Sequence, residues 1–258
     1  MKKFTLSTLI VLALFIGKSV LAQDATKSLF HFGLKVAPAI SWFMPDDKKF
    51  SNDGSKFGFG YGLITEFGFS PNYAFSTGLE VLNAGGSLNF PKLPDNTYYL
   101  VENEDVTPVR TDTFLLENRT YMLRYVNLPL HLKLKTNQIG AMTYFGQFGF
   151  DASILWRARS DDDGNFIGSS PTTRRDVDIA KDINFMRLAL TVGLGAEYNL
   201  SGTTSVVFSI VYNNGFTNAL IKNSKQLIKK FNTPPTDPTP REQVAMFNYV
   251  GLNIGILF

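Results

Sequence analysis

Hydrophobic and polar residues alternate along most of this chain. In "NYVGLNIGILF" (248–258), Val250, Leu252, Ile254, Ile256 and Phe258 oppose Tyr249, Gly251, Asn253 and Gly255. In "FMRLALTVGLGAEYNL" (185–200), Met186, Leu188, Leu190, Val192, Leu194 and Tyr198 oppose Arg187, Thr191, Gly193, Gly195 and Glu197. A period of two belongs to β-strands, whose successive side chains point to opposite faces. The pattern predicts strands at about 29–44, 56–70, 73–90, 114–136, 140–158, 184–200, 203–216 and 243–258. Each is long enough to cross a bilayer, for which roughly 9 to 11 tilted residues suffice.

The connections take turns in length. "SPN" (70–72), "TNQIG" (136–140) and "LSGT" (200–203) are tight, whereas about 45–55, 91–113, 159–183 and 217–242 are long and polar. Short periplasmic turns and long external loops are the layout of an outer-membrane barrel. A water-soluble β-sandwich shares the alternation, but the glycine-rich polar face, the aromatics near strand ends and the loop rhythm favour the barrel. The expected fold is all-β: a closed antiparallel up-and-down transmembrane β-barrel of about eight strands, with both ends of the chain periplasmic. A last strand finishing on an outward Phe258 sets that ring at the periplasmic interface.

Charge sorts with the same parity. Lys35, Glu66, Glu80, Lys133, Asp151, Arg187 and Glu197 all fall on the face that is not apolar. On the lipid face, Arg or Lys near the midplane would cost about 2 to 4 kcal/mol. An eight-stranded interior is just wide enough for side chains to fill. These seven residues are therefore expected to form a paired network that plugs the lumen, because an unpaired buried charge costs several kcal/mol. Arg124 lands on the apolar parity, which predicts a position near the external headgroups. Pro129, inside "YVNLPLHLKLK", has no N–H for a ladder and predicts a bulge that shifts the parity of Tyr125 and Asn127.

Composition adds exclusions. Phe 23, Tyr 10 and Gly 21 occur with no cysteine, so disulfides and thiol chemistry are unavailable, and a net charge of +3 does not advertise a nucleic-acid binder. The first residues, "MKKFTLSTLIVLALFIGKSVLAQ", carry Lys2 and Lys3, an apolar run from Leu6 to Ile16, and small residues ending at Ala22. They predict a secretory signal peptide over 1–22 and a single barrel domain over 23–258, located in a Gram-negative outer membrane. Past Gln23 no run approaches the roughly 20 apolar residues that a membrane helix needs.

Catalytic, metal and cofactor sites are not expected. The two histidines, His31 and His131, share the inward parity, and neither Gly-x-Ser-x-Gly nor His-Glu-x-x-His occurs. Asp161, Asp163 and Asn165 alternate as calcium ligands do, but Gly164 comes fourth where an EF-hand needs glycine sixth, so a hydrated loop turn is expected. In "NALIKNSKQLIKKF" (218–231), Leu220, Ile221, Leu227, Ile228 and Phe231 share one side of a helical wheel and Lys222, Lys225, Lys229 and Lys230 the other. That predicts a short basic amphipathic helix lying on lipopolysaccharide phosphates, capping the barrel mouth or docking a partner.

With the strands laid out, the chain resembles the PorT-like outer-membrane β-barrel family. Tyr125-Val126-Asn127-Leu128-Pro129-Leu130 is similar to that family's Tyr-x-x-(Ile/Leu)-Pro-Leu in the fourth strand, although Asn127 stands where an acidic residue is common. "FHFGLKVAPAISWF", "YAFSTGLEV" and "YVGLNIGILF" sit where similar segments do. Some members serve type IX protein secretion and gliding. The resemblance implies insertion by the barrel assembly machinery through the terminal Phe258 pattern, contact with outer-membrane lipids, and a non-enzymatic accessory role beside secretion-system subunits. A small porin-like channel and a solitary structural barrel are the alternatives.

Overall fold

The computed structural model describes residues 30–46, 50–90, 97–101, 114–166, 169–221, 226–230, 239–240 and 244–258. The expected signal peptide, 1–22, lies outside them. Twelve strands follow in chain order: β1 (Phe30–Pro45), β2 (Ser51–Ser70), β3 (Tyr73–Asn89), β4 (Thr97–Val101), β5 (Phe114–Lys135), β6 (Met142–Phe166), β7 (Pro171–Asp178), β8 (Met186–Ser201), β9 (Thr204–Asn218), β10 (Gln226–Lys230), β11 (Thr239–Pro240) and β12 (Ala245–Leu257).

Eight of these strands, β1, β2, β3, β5, β6, β8, β9 and β12, pair antiparallel in that order, and β12 returns to β1 from Gly33↔Leu257 to Pro45↔Ala245. The ring closes, so no strand is left with an unpaired edge along the wall. The up-and-down expectation holds, and the eight ring strands match the expected segments closely. Short turns join β2 to β3, β5 to β6 and β8 to β9 at one end, where Gly140 and Gly202 take the left-handed backbone that such turns need.

The other end is built differently from expectation. The first long connection, expected at 45–55, is short because β1 runs to Pro45 and β2 starts at Ser51. Most of 159–183 is also strand: β6 continues to Phe166 and takes β7 along its side. Residues 226–230 form a strand on β4, Leu227 opposite Leu100 and Lys229 opposite Tyr98, and not the expected helix. Five residues with adjacent Leu227 and Ile228 suit either period, and the backbone bonds offered by β4 decide for strand. Lys222, Lys225 and Phe231 lie outside the described residues. Beyond the ring, β5 and β6 therefore run on as a hairpin, with β4, β10 and β11 on one flank and β7 on the other.

Along the wall, parity governs burial. Phe57, Phe59, Tyr61, Leu63, Phe67 and Phe69 of β2 are all exposed, whereas Gly58, Gly60 and Glu66 are buried. An apolar belt of this extent facing outward is the signature of a lipid-facing surface. The bulge expected at Pro129 is absent: Pro129 points inward with its neighbours in phase, and β3 and β5 stay in one register. Instead the ladder skips, pairing Thr77↔Leu130 and next Glu80↔Asn127. The proline lacks the N–H that the skipped bonds would use, and Thr77 Oγ1 donates to the Pro129 carbonyl at 2.7 Å. Tyr125 and Asn127 keep their inward parity.

The bulge sits one strand over. Arg124 faces Arg157 while Tyr125 faces Leu155, so Trp156 is the extra residue of β6. Below it the odd residues of β6 point inward, and above it the even ones do. Inside the ring, glycine makes room for packed rings: a Cβ on Gly195 would run into the Phe145 ring and Ser209. Gly195→Val is expected to cost about 1 to 3 kcal/mol by overpacking, read as a lowered urea midpoint of the detergent-solubilised barrel. An unchanged midpoint would mean that the interior has room for a larger side chain at this position.

Candidate functional site

Charged side chains from six strands, β1, β2, β3, β5, β6 and β8, meet in the lumen, because inward parity leaves them no other place. Near the short turns, Lys133 Nζ donates to Glu66 and, at 3.2 Å, to Glu197. Lys135 Nζ donates to the same two carboxylates at 2.7 and 2.9 Å. Two cations thus face two anions, and Lys133 also lies 4.1 Å from the centre of the Phe145 ring. Farther up, Lys35 pairs with Glu80 at 2.8 Å. Lys135, absent from the expected set, shares the parity of Lys133, which is the signal that could have found it.

Asp151 anchors a second network. His131 Nε2 lies 3.0 Å from Asp151 Oδ1, while the Thr191 hydroxyl and the Asn213 amide both donate to Asp151 Oδ2. Arg187 reaches no carboxylate among the described residues. Its guanidinium donates to Asn213 Oδ1 and to the Phe247 carbonyl at 2.7 Å, under the rings of Phe247 and Tyr249. Arg187 is thus tied to Asp151 only through Asn213. Chemically the cluster is locked: Thr191 donates to Asp151 and not to the imidazole, so the hydroxyl is not aligned for activation by His131. His31, half-buried and inward on β1, sits opposite Glu66 in the β1–β2 ladder, beside the layer of Lys133, Lys135 and Glu197.

A cavity of about 30 Å³, lined by Lys35, His131, Lys133, Gln147, Ser209 and Asn253, lies beside the charges. That is room for about one water. Toward the long-loop end the polar layer gives way to aromatics: Phe43 lies 4.8 Å from Tyr121 and 5.3 Å from Phe247, centre to centre, with Tyr125 beside Phe247. Above these, Leu88, Phe90, Phe114, Leu116, Ile179 and Leu220 continue the core into the extended hairpin.

Within that upper core sits a fork that the sequence did not disclose. Arg119 Nε and Nη2 each donate at 2.7 Å to Asp162, both side chains fully buried, and Nη1 reaches Asp182 at 3.3 Å. Ser160 donates to the same Asp162 oxygen as Nε. Arg119 shares the odd parity of Tyr121 and Lys133, but Asp162 lies beyond the bulge, where parity is inverted. Its neighbours Asp161 and Asp163 are in the β6 ladder and not in the expected loop turn; Asp163 accepts from Thr173 Oγ1 and Asp161 from the Asp176 N–H, both on β7.

Outside the wall, Arg124 is half-buried, donates to Asn83 Oδ1 at 2.6 Å and stacks near the Trp156 ring. Phe258 is exposed; its backbone exchanges hydrogen bonds with Phe32 and its ring lies 5.8 Å from the Phe32 ring. Lys229 and Lys230 belong to β10.

A family model for the outer membrane protein beta-barrel domain matches residues 21–220. No curated protein matches the chain. Similar solved structures include Neisserial surface protein A, at 11% identity and TM-score 0.42, covering 89% of this chain and 96% of that one. OprG from Pseudomonas aeruginosa matches at 12% identity and TM-score 0.39, covering 89% and 95%. The outer membrane protease OmpT from Escherichia coli matches at 10% identity and TM-score 0.42, covering 92% and 98%.

Proposed function

Since the chain belongs to the outer membrane protein beta-barrel domain family, we propose that it is a non-conducting, non-enzymatic barrel of the Gram-negative outer membrane. In this reading it is exported by its signal peptide, inserted by the barrel assembly machinery through the strand ending in Phe258, and acts as a scaffold subunit of an outer-membrane assembly. The long-loop end faces outside. One observation carries the reading: ion-paired and aromatic side chains pack across the lumen, while β5 and β6 rise past the ring as a flanked sheet. A barrel packed across its lumen has its surface left to work with, and the prolonged β5–β6 pair is a structured surface beyond the wall.

The finer assignment, to the PorT-like family and type IX secretion, rests on the Tyr125–Leu130 motif. Its test is affinity recovery of the tagged protein from mild-detergent extracts of its native membrane. Stoichiometric secretion-system subunits are expected; recovery of the barrel alone would overturn the scaffold role and leave a solitary structural barrel. The porin-like alternative makes the opposite electrical prediction. In planar bilayers the protein is expected to give no conductance steps, because aromatic and ion-paired layers both cross the lumen. Regular steps from the unaltered protein would overturn the closed-barrel reading.

A further inference from the structure

At the long-loop end the outer wall carries a cavity of about 310 Å³ spanning β2, β3, β5, β6 and β7. Two irregularities create it. The β2–β3 register slips between Ser55 and Phe59, and the β5–β6 register slips at Trp156. Bulges of this kind re-aim side chains and bend the strand. Here they bring Lys56, Arg124, Arg157 and Arg159 to one cavity, with Asp176 as its carboxylate.

The internal compensation is incomplete. Asp176 lies 3.7 Å from Arg157 and 3.9 Å from Arg159, and Asp178 lies 3.5 Å from Arg159. Arg159 also donates to the Asp176 carbonyl, holding a residue whose φ of 51° is unusual outside glycine. Lys56 and Arg124, in contrast, have no carboxylate partner among the described residues. Arg124 spends one N–H on Asn83 and lies 5.7 Å from the Trp156 ring centre, leaving the rest of its fork unengaged. Directly along the same outward face are Phe57, Phe59 and Trp156, all exposed.

A basic cavity that opens sideways onto an apolar belt suits an amphipathic anion better than a soluble one. We propose that it binds a phosphate of a phosphorylated glycolipid in the outer leaflet, whose acyl chains run down over Phe57, Phe59 and Trp156. Arginine forks match phosphate oxygens two at a time. Aromatic rings mark the headgroup level of a barrel, so the cations sit where such a phosphate would lie. The site rests on the proposed orientation, with the long-loop end outside.

The test uses the full mature chain in maltoside micelles, titrated with diphosphoryl lipid A and followed by native mass spectrometry. One saturable lipid per chain is expected. Each cation near a membrane surface contributes about a fivefold factor in affinity, so Arg124→Gln/Arg157→Gln should weaken binding about 25-fold. Lipid A stripped of its phosphates should bind as weakly as the variant does. Equal binding of the stripped lipid, an unaffected double variant, or displacement by an equal concentration of inorganic phosphate would each overturn the proposal. The Lys56→Gln/Arg157→Glu variant repeats the test should the first not fold. Heat-modifiable migration in SDS separates the two readings: its loss in the unaltered protein overturns the barrel and the site together, while a normal shift with unchanged lipid binding overturns the site alone.

Discussion

Replacing Arg119 by methionine is expected to destabilise the protein by about 3 to 5 kcal/mol, the cost of leaving one partner of a buried ion pair alone. Asp162 is fully buried, and without the guanidinium it keeps only the Ser160 hydroxyl. The expected consequence is a large drop in the urea midpoint and earlier proteolysis of the β5–β6 extension. Changing both residues, Arg119→Met with Asp162→Leu, should return most of the loss, because two desolvated charges are replaced by apolar groups of similar volume. Urea titrations of the single and double variants in detergent measure the difference. If the double variant were as unstable as the single, the fork would owe its effect to shape and not to charge.

The second large effect is expected at Lys133, buried between Glu66 and Glu197. Lys133→Met leaves two carboxylates sharing Lys135, so the cost should be about 3 kcal/mol, at the lower end of the range for a broken buried pair. Lys133→Met with Glu66→Leu restores equal numbers of cations and anions, Lys135 against Glu197. That double variant should regain most of the lost midpoint, while Lys133→Met with Lys135→Met should fall well below the single. Were the two double variants equal, charge balance in the lumen would not be what holds this layer together.

The eight ring strands were legible because strand pairing in a barrel uses a signal that each strand carries by itself, alternation with a period of two. The inward position of Lys35, Glu66, Glu80, Lys133, Asp151, Arg187 and Glu197 was legible for the same reason. What each charge touches was not. Arg187 finds Asn213 and a carbonyl, a choice set by the neighbouring strands. The four additional strands were missed because β4 and β10 hold each other across more than a hundred residues, and neither segment alternates long enough alone. Arg119 with Asp162 was missed because one extra residue at Trp156 exchanges the faces of β6. Counting by twos through that residue puts Asp162 on the wrong side.

The closing seam between β1 and β12 also bears on the order in which the molecule forms. Hairpins such as β5–β6 join residues that are near in sequence, and their loops cost little entropy to close. The seam instead joins Gly33 to Leu257 and Met44 to Met246, contacts of the longest sequence separation in the ring. Non-local pairings of this kind are slow and are rewarded only after the intervening chain has been ordered. The β1–β12 seam is therefore expected to be the last pairing to close, after the central hairpins have formed.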